Sequence, residues 1–181
     1  MEAVIVVDML DDFVRGKLAT GRETTVVEPV ATLLSAARKA KRPVVYVGDA
    51  HLPRDPELRV WGEHAMKGSE GARIISELTP QSGDYVLEKR TYSAFFETGL
   101  DSLLRSLEVD KAILTGLHTH LCIRHSAADA FFRGYRIEVP IDCVTAFTEA
   151  EQGSGLEYLH RQYGVELITS SDLAQRFSVG A

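Results

Sequence analysis

Short apolar runs recur along this chain, each followed by polar residues and then by a segment with helical spacing. They are Ala3–Val7 (AVIVV), Val44–Val47, Tyr85–Leu87, Ala112–Leu114, Arg136–Pro140 and Val165–Ile168. A continuous β-branched run suits a strand buried on both faces, the usual state in a parallel sheet. Between the runs, Val27, Val30, Leu34 and Ala37 mark one face of a helix ending near Lys41, and Leu100, Leu103, Leu104 and Leu107 mark another. Residues 72–78, 121–133 and 155–163 read as further helices. Thr25-x-x-Glu28 fits a capping box for the first long helix, with Pro29 blurring its start.

Strands alternating with helices predict a parallel sheet with right-handed crossovers. The expected architecture is α/β: a three-layer Rossmann-like fold with a six-stranded parallel sheet and helices on both faces. There is no repeat and no internal linker, so the 181 residues are expected to form a single domain. Apolar content is 45% and charged content 25%, ordinary for a globular protein, and a net charge of −6 argues against nucleic-acid or acidic-membrane partners. No apolar run approaches transmembrane length, and MEAVIVVDML reads as a first strand, not a signal peptide. The only two cysteines, Cys122 and Cys143, do not form a disulfide framework, and a cytoplasmic location is the default expectation.

In a parallel α/β sheet, ligands bind at the carboxyl ends of the strands. The residues ending the runs are therefore expected on one rim: Asp8, then Asp49 and His51, then Lys89, then Cys122. Cys122 stands where the helix of residues 121–133 begins, beside unpaired N–H groups and the positive end of the helix dipole. Both favour thiolate over thiol, and the same N–H groups suit a tetrahedral oxyanion. An aspartate to take the thiol proton and a lysine to hold the charges complete a nucleophile set of Asp8, Lys89 and Cys122. Taken singly, each residue equally suits a loop cap, a solvated charge or a small core side chain.

Residues 49–72 form a long loop rich in proline, glycine and charge, with the only tryptophan, Trp61. A loop of that length in a compact domain is usually functional or disordered. Asp49-x-His51 places two donors on the same side of an extended segment, and His64 adds a third. Carboxylate and imidazole are ordinary ligands for zinc and other divalent transition metals. The spacing alone suits a solvated polar loop as well as a metal site.

Several motifs together resemble the isochorismatase-like cysteine hydrolase superfamily. They are Asp8-Met-Leu-Asp-Asp-Phe13, Glu88-Lys89-Arg90-Thr91-Tyr92-Ser93-Ala94-Phe95, and Gly116-Leu-His-Thr119-His-Leu-Cys122 before a helix ending at Gly134-Tyr135, with Asp142 downstream. The similarity runs through essentially the whole chain, in order. Asp49-Ala-His51 and Trp61-Gly-Glu-His64-Ala-Met-Lys-Gly68 further resemble the metal loop of the nicotinamidase branch.

The resemblance implies a cysteine amidohydrolase that converts nicotinamide to nicotinate and ammonia through a thioester, with Asp8, Lys89 and Cys122 as its catalytic triad. It implies a divalent metal on Asp49, His51 and His64, zinc first and iron or manganese as alternatives, with Glu57 the nearest candidate for a fourth ligand. It also implies a cis peptide between Leu117 and His118 that aims the His118 N–H, with that of Cys122, at the oxyanion. Phe13 and Trp61 match substrate-stacking aromatic positions, and Tyr92, Phe95 and His120 are further pocket candidates. The expected partner is a small-molecule amide, and the expected assembly a homo-oligomer, with residues 127–132 available to an interface or the core. Alternatives are a relative acting on another small amide, a ureido compound or isochorismate, or a catalytically silent binding protein. Cys143 has no such context and reads as structural.

Overall fold

The computed structural model describes residues 1–179. In chain order, β1 is Glu2–Val7, α1 Asp11–Val14, α2 Val27–Lys39, β2 Val44–Asp49, α3 Leu58–Trp61, β3 Tyr85–Lys89 and α4 Leu100–Ser106. There follow β4 Lys111–Leu117, α5 Arg124–Phe132, β5 Arg136–Pro140, β6 Val144–Thr145, α6 Glu149–Tyr163, β7 Glu166–Ile168 and α7 Ser170–Val179. The strand order is β3-β2-β1-β4-β5-β7, with the two-residue β6 paired to the end of β4, and every strand pairing is parallel. The expected six-stranded α/β sheet is thus present, with β6 added.

The pleat divides β1 between two cores. Ala3, Ile5 and Val7 face the layer of α4, α5 and α6, through Leu100, Leu104, Ala127, Ala130 and Leu159. Val4 and Val6 face the layer of α2 and α7, through Val30, Leu34, Leu173 and Phe177. Cys143 is fully buried in this second core. On α5, Ala127 and Ala130 are buried, whereas Phe131 and Phe132 are exposed. Among the described residues, no helix is long and apolar enough to cross a membrane.

Several local expectations are corrected. Thr25 and Glu28 form no capping box: the Thr25 hydroxyl donates back to the Arg22 carbonyl, and α2 is entered through a 3-10 turn at Glu23–Val26. The box lies at α6 instead, where Thr148 Oγ1 accepts the Glu151 amide and donates to the Glu151 carboxylate. That cap starts α6 six residues before the expected Gly155. The expected helix over 72–78 is two 3-10 turns, Glu70–Ala72 and Ser76–Leu78. The sequence reading placed no element after Ile168, yet α7 is there, its first amide received by Asp142 Oδ1 at 2.9 Å.

The order reverses between β1, whose crossover runs toward β2, and β4, whose crossover runs toward β5. This is the switch point at which such sheets open a crevice. Gly116 lets the two strands stay close there: a Cβ at its φ of +102° would lie 2.0 Å from the Val7 carbonyl oxygen.

Candidate active site

Three strand ends deliver one buried cluster. Asp8 follows β1, Asp49 ends β2 and Lys89 ends β3, with Asp49 and Lys89 in register. Lys89 Nζ lies 2.8 Å from Asp8 Oδ2, 2.6 Å from Asp49 Oδ1 and 3.1 Å from the Thr91 carbonyl. It also lies 3.7 Å from Cys122 Sγ, beyond β4. Asp8 Oδ1 accepts the Asp49 amide at 2.9 Å. Asp8 holds a φ of +54°, a conformation few non-glycine residues adopt and one enriched at functional sites.

This cluster corrects the thiolate expectation. Burial pushes the Cys122 thiol well up, and the charges of Asp8 and Asp49 add to that, against the opposing pull of Lys89. The helix-end argument omitted desolvation, which dominates at a side chain 5% exposed. Burial, followed by the charge of Asp49, also raises Asp8 to about 7 despite Lys89. Burial alone would strip the Lys89 proton, but Asp49 and Asp8 together hold it charged. Without a metal on Asp49, both directions favour a neutral Cys122 thiol beside Asp8.

Cys122 lies in a π-turn, Thr119–Ile123, that precedes α5, so the α-helix proper starts later than expected. The amides of Leu121 and Ile123 donate to the His118 carbonyl at 3.0 and 3.2 Å, while that of Cys122 between them is not among its donors. The Leu117–His118 peptide is cis.

Asp49, His51, Glu57 and His64 are all buried, and each offers a ligand atom within 4.8 Å of the others. Glu57 immediately precedes α3, which turns its carboxylate in toward the other three. His51 Nδ1 is 3.2 Å from Asp55 Oδ2, and His64 Nδ1 is 2.8 Å from the Gly62 carbonyl, so Nε2 of each is left for the cluster. Asp55 is itself held by Arg90. Asp49 Oδ2, His51 Nε2 and Glu57 Oε1 are buried with no hydrogen-bond partner. Asp49 Oδ2 lies 3.4 Å from His51 Nε2 and Glu57 Oε2 3.8 Å from it, and buried donor atoms left unpartnered so close together would be costly without a cation, so these residues fit a divalent metal.

Aromatic rings run from this cluster to Cys122. Phe13 lies 5.5 Å from His64 and 6.0 Å from His118, edge-on to both. His118 is 4.4 Å from Phe147, Phe147 is 5.7 Å from Trp61, and the Trp61 indole N–H donates to the Tyr92 hydroxyl at 3.0 Å. His120 is 5.0 Å from Phe147. Phe13, Trp61, Tyr92 and His120 are thus linked through His118 and Phe147 in one chain of contacts. Phe95 is not: it is buried in the α4–α6 core against Tyr135. Phe147 was missed, although the loop after β5 opens on the same rim and the strand-end rule pointed there.

An isochorismatase domain model matches residues 2–172. The chain is 44% identical to N-carbamoylsarcosine amidase from Thermoplasma acidophilum, covering 93% of this chain and 96% of that one, with a TM-score of 0.89. It is 28% identical to the pyrazinamidase/nicotinamidase of Streptococcus mutans UA159, over 93% of this chain and all of that one, with a TM-score of 0.88. A maleamate amidohydrolase of Pseudomonas putida is 31% identical over 181 residues, 93% of this chain and 84% of its own length.

Proposed function

Because the chain belongs to the isochorismatase family and is a hydrolase of that family, we propose that it is a cysteine amidohydrolase acting on nicotinamide. One observation carries the chemistry: Lys89 Nζ bridges Asp8 at 2.8 Å and Cys122 at 3.7 Å in a buried cluster drawn from three strand ends. Asp8 takes the Cys122 proton as sulfur attacks the carboxamide carbon, and the oxyanion is received by the amides of His118 and Cys122. Protonated Asp8 then gives its proton to the departing amine, ammonia leaves, and a thioester remains. Asp8 next deprotonates water, which attacks the thioester; nicotinate is released and the thiol is restored. Lys89 remains an ammonium throughout and holds Asp8 in place.

Asp49, His51, Glu57 and His64 would hold a divalent metal, which supplies a Lewis-acidic anchor for a substrate heteroatom. Phe13, Trp61 and Phe147 supply faces and edges for a flat ring, which together with the donor cluster supports a pyridine carboxamide. The 44% identity to N-carbamoylsarcosine amidase favours a second reading, hydrolysis of an N-carbamoyl amine by the same triad.

Ammonia release from nicotinamide, pyrazinamide and N-carbamoylsarcosine, with and without a chelator, separates the two. Chelator-sensitive nicotinamide turnover supports the first reading; turnover of the carbamoyl compound alone, indifferent to chelator, replaces it with the second. Cys122→Ala is expected to abolish turnover with the fold intact, and substantial residual hydrolysis in it would refute the nucleophile.

A further inference from the structure

Glu23 is fully buried beneath a loop whose neighbouring residues, Thr20 and Gly21, are exposed. Its carboxylate is fully engaged. Oε2 accepts the amides of Thr20 and Gly21 at 2.9 and 3.0 Å. Oε1 accepts the Thr20 hydroxyl at 2.9 Å and His118 Nε2 at 3.1 Å. Three of these donors belong to its own loop, so the carboxylate is fixed before it meets the imidazole. The fourth is the side chain of the residue whose backbone amide is assigned to the oxyanion. The loop is pinned in turn: Arg22 Nε donates to the Ala146 carbonyl at 3.2 Å, and Arg22 pairs with Glu149 at 2.6 Å. Nothing in the triad or the donor cluster requires a buried carboxylate here.

The geometry points to Glu23 as a positioning residue for the oxyanion turn, acting through the His118 imidazole to hold the His118 amide on the developing oxygen. This rests on the amidohydrolase reading with Cys122 as nucleophile. It assigns Glu23 no contact with substrate; Glu23 lies behind His118, whose ring is flanked by Phe13 and Phe147. The role is geometric: a backbone donor serves only if it stays within hydrogen-bond reach of the reacting oxygen, and a misplacement of 1 Å can cost about 100-fold in rate.

Two reactions of Cys122 separate this role from general damage. Acylation by p-nitrophenyl acetate forms the S–C bond and expels p-nitrophenolate through a tetrahedral oxyanion, the thiol proton passing to Asp8. Alkylation by iodoacetamide forms an S–C bond and expels iodide with no oxyanion, the proton going the same way. Both are measured in wild type and in Glu23→Gln, with Cys122→Ala as the blank. Glu23→Gln is expected to slow acylation by about 10- to 100-fold while alkylation stays within about twofold. The double variant Glu23→Gln/His118→Gln should lose no more than the worse single variant, since the two act as one unit.

Acylation and alkylation falling together, or neither falling, would overturn the assignment. So would a rise in KM for the amide with acylation unchanged, which would make the pair a substrate contact. Should Glu23→Gln not yield folded protein, Thr20→Val removes one of the four donors and is expected to give a several-fold loss in acylation alone. If wild type acylates at Cys122 but hydrolyses none of the amides, the substrate reading fails and the test of Glu23 still stands.

Discussion

Replacing Glu23 by Gln should also cost stability in a way that depends on pH. Burial alone would raise the Glu23 carboxyl, but the hydrogen bonds from His118 and the Thr20 segment outweigh it and hold the group at about 2, against an ordinary value of 4.5. That difference of roughly 2.5 units corresponds to about 3 kcal/mol favouring the folded state. The sign follows from where each state binds its proton. Above pH 4.5 both states are ionised and the whole contribution is present. Between 4.5 and 2 the unfolded chain takes the proton first, and the contribution shrinks. Below 2 it is gone. Glutamine cannot accept from all four donors, so urea unfolding should show a gap between wild type and Glu23→Gln of about 2–3 kcal/mol at pH 7. The gap should be unchanged at pH 6 and clearly smaller at pH 3.5. A typical domain holds about 5–15 kcal/mol, so the variant remains folded at neutral pH. A gap below about 1 kcal/mol at pH 7, or one that stays the same size down to pH 3.5, would refute this account of the buried carboxylate.

Asp8 must be ionised to receive the thiol proton, and in the protein without metal burial and Asp49 raise it to about 7; the log rate of Cys122 alkylation by iodoacetamide in chelator-treated protein should therefore climb with a slope of about one below pH 7 and level off above it. A profile flat from pH 5.5 to 8.5 would remove Asp8 as the base. Asp55 orients His51 from behind at 3.2 Å, so Asp55→Asn should weaken metal binding about 10- to 100-fold in competition with a chromophoric chelator, and an unchanged affinity would count against the donor cluster. Gly116→Ala should destabilise by about 3 kcal/mol or more, read by urea unfolding, because its Cβ would lie 2.0 Å from the Val7 carbonyl at a positive φ.

The parts legible in the sequence share one physical origin. β1, β2, β3 and β4 each bury a run of side chains and end in polar residues, so apolar patterning locates both the strand and the rim residue after it. That reasoning reached Asp8, Asp49, Lys89 and Cys122, which three strand pairings then bring together. Glu23 left no such trace. Glu23 sits in a polar, glycine-punctuated loop, and its burial depends on a histidine 95 positions away. The π-turn was invisible for a related reason: the pattern from Leu121 onward is helical, and only the double use of the His118 carbonyl distinguishes it. The helix α7 buries only Leu173 and Phe177 among its apolar residues, and its start is set by Asp142, which matched a motif position without revealing what it held.

The same division explains why the reaction is better specified than the substrate. The proposed reacting groups come from strand ends, whereas the aromatic rings linked to His118 come from α1, α3 and the segment after β6, whose positions depend on tertiary contacts. The charge count adds a constraint on when the nucleophile forms. Asp8 and Asp49 face a single ammonium, so in the protein without metal the triad region carries one excess negative charge when both carboxylates are ionised. A standing thiolate would add a second among three side chains of which none is more than 5% exposed. On the proposed mechanism the proton is therefore held between sulfur and Asp8, moving to Asp8 only as the attack transfers negative charge from sulfur to the carbonyl oxygen. That places the catalytic demand on the oxyanion donors more than on thiol acidity, and it is why a carboxylate that steadies His118 has more leverage on turnover than its distance from Cys122 suggests.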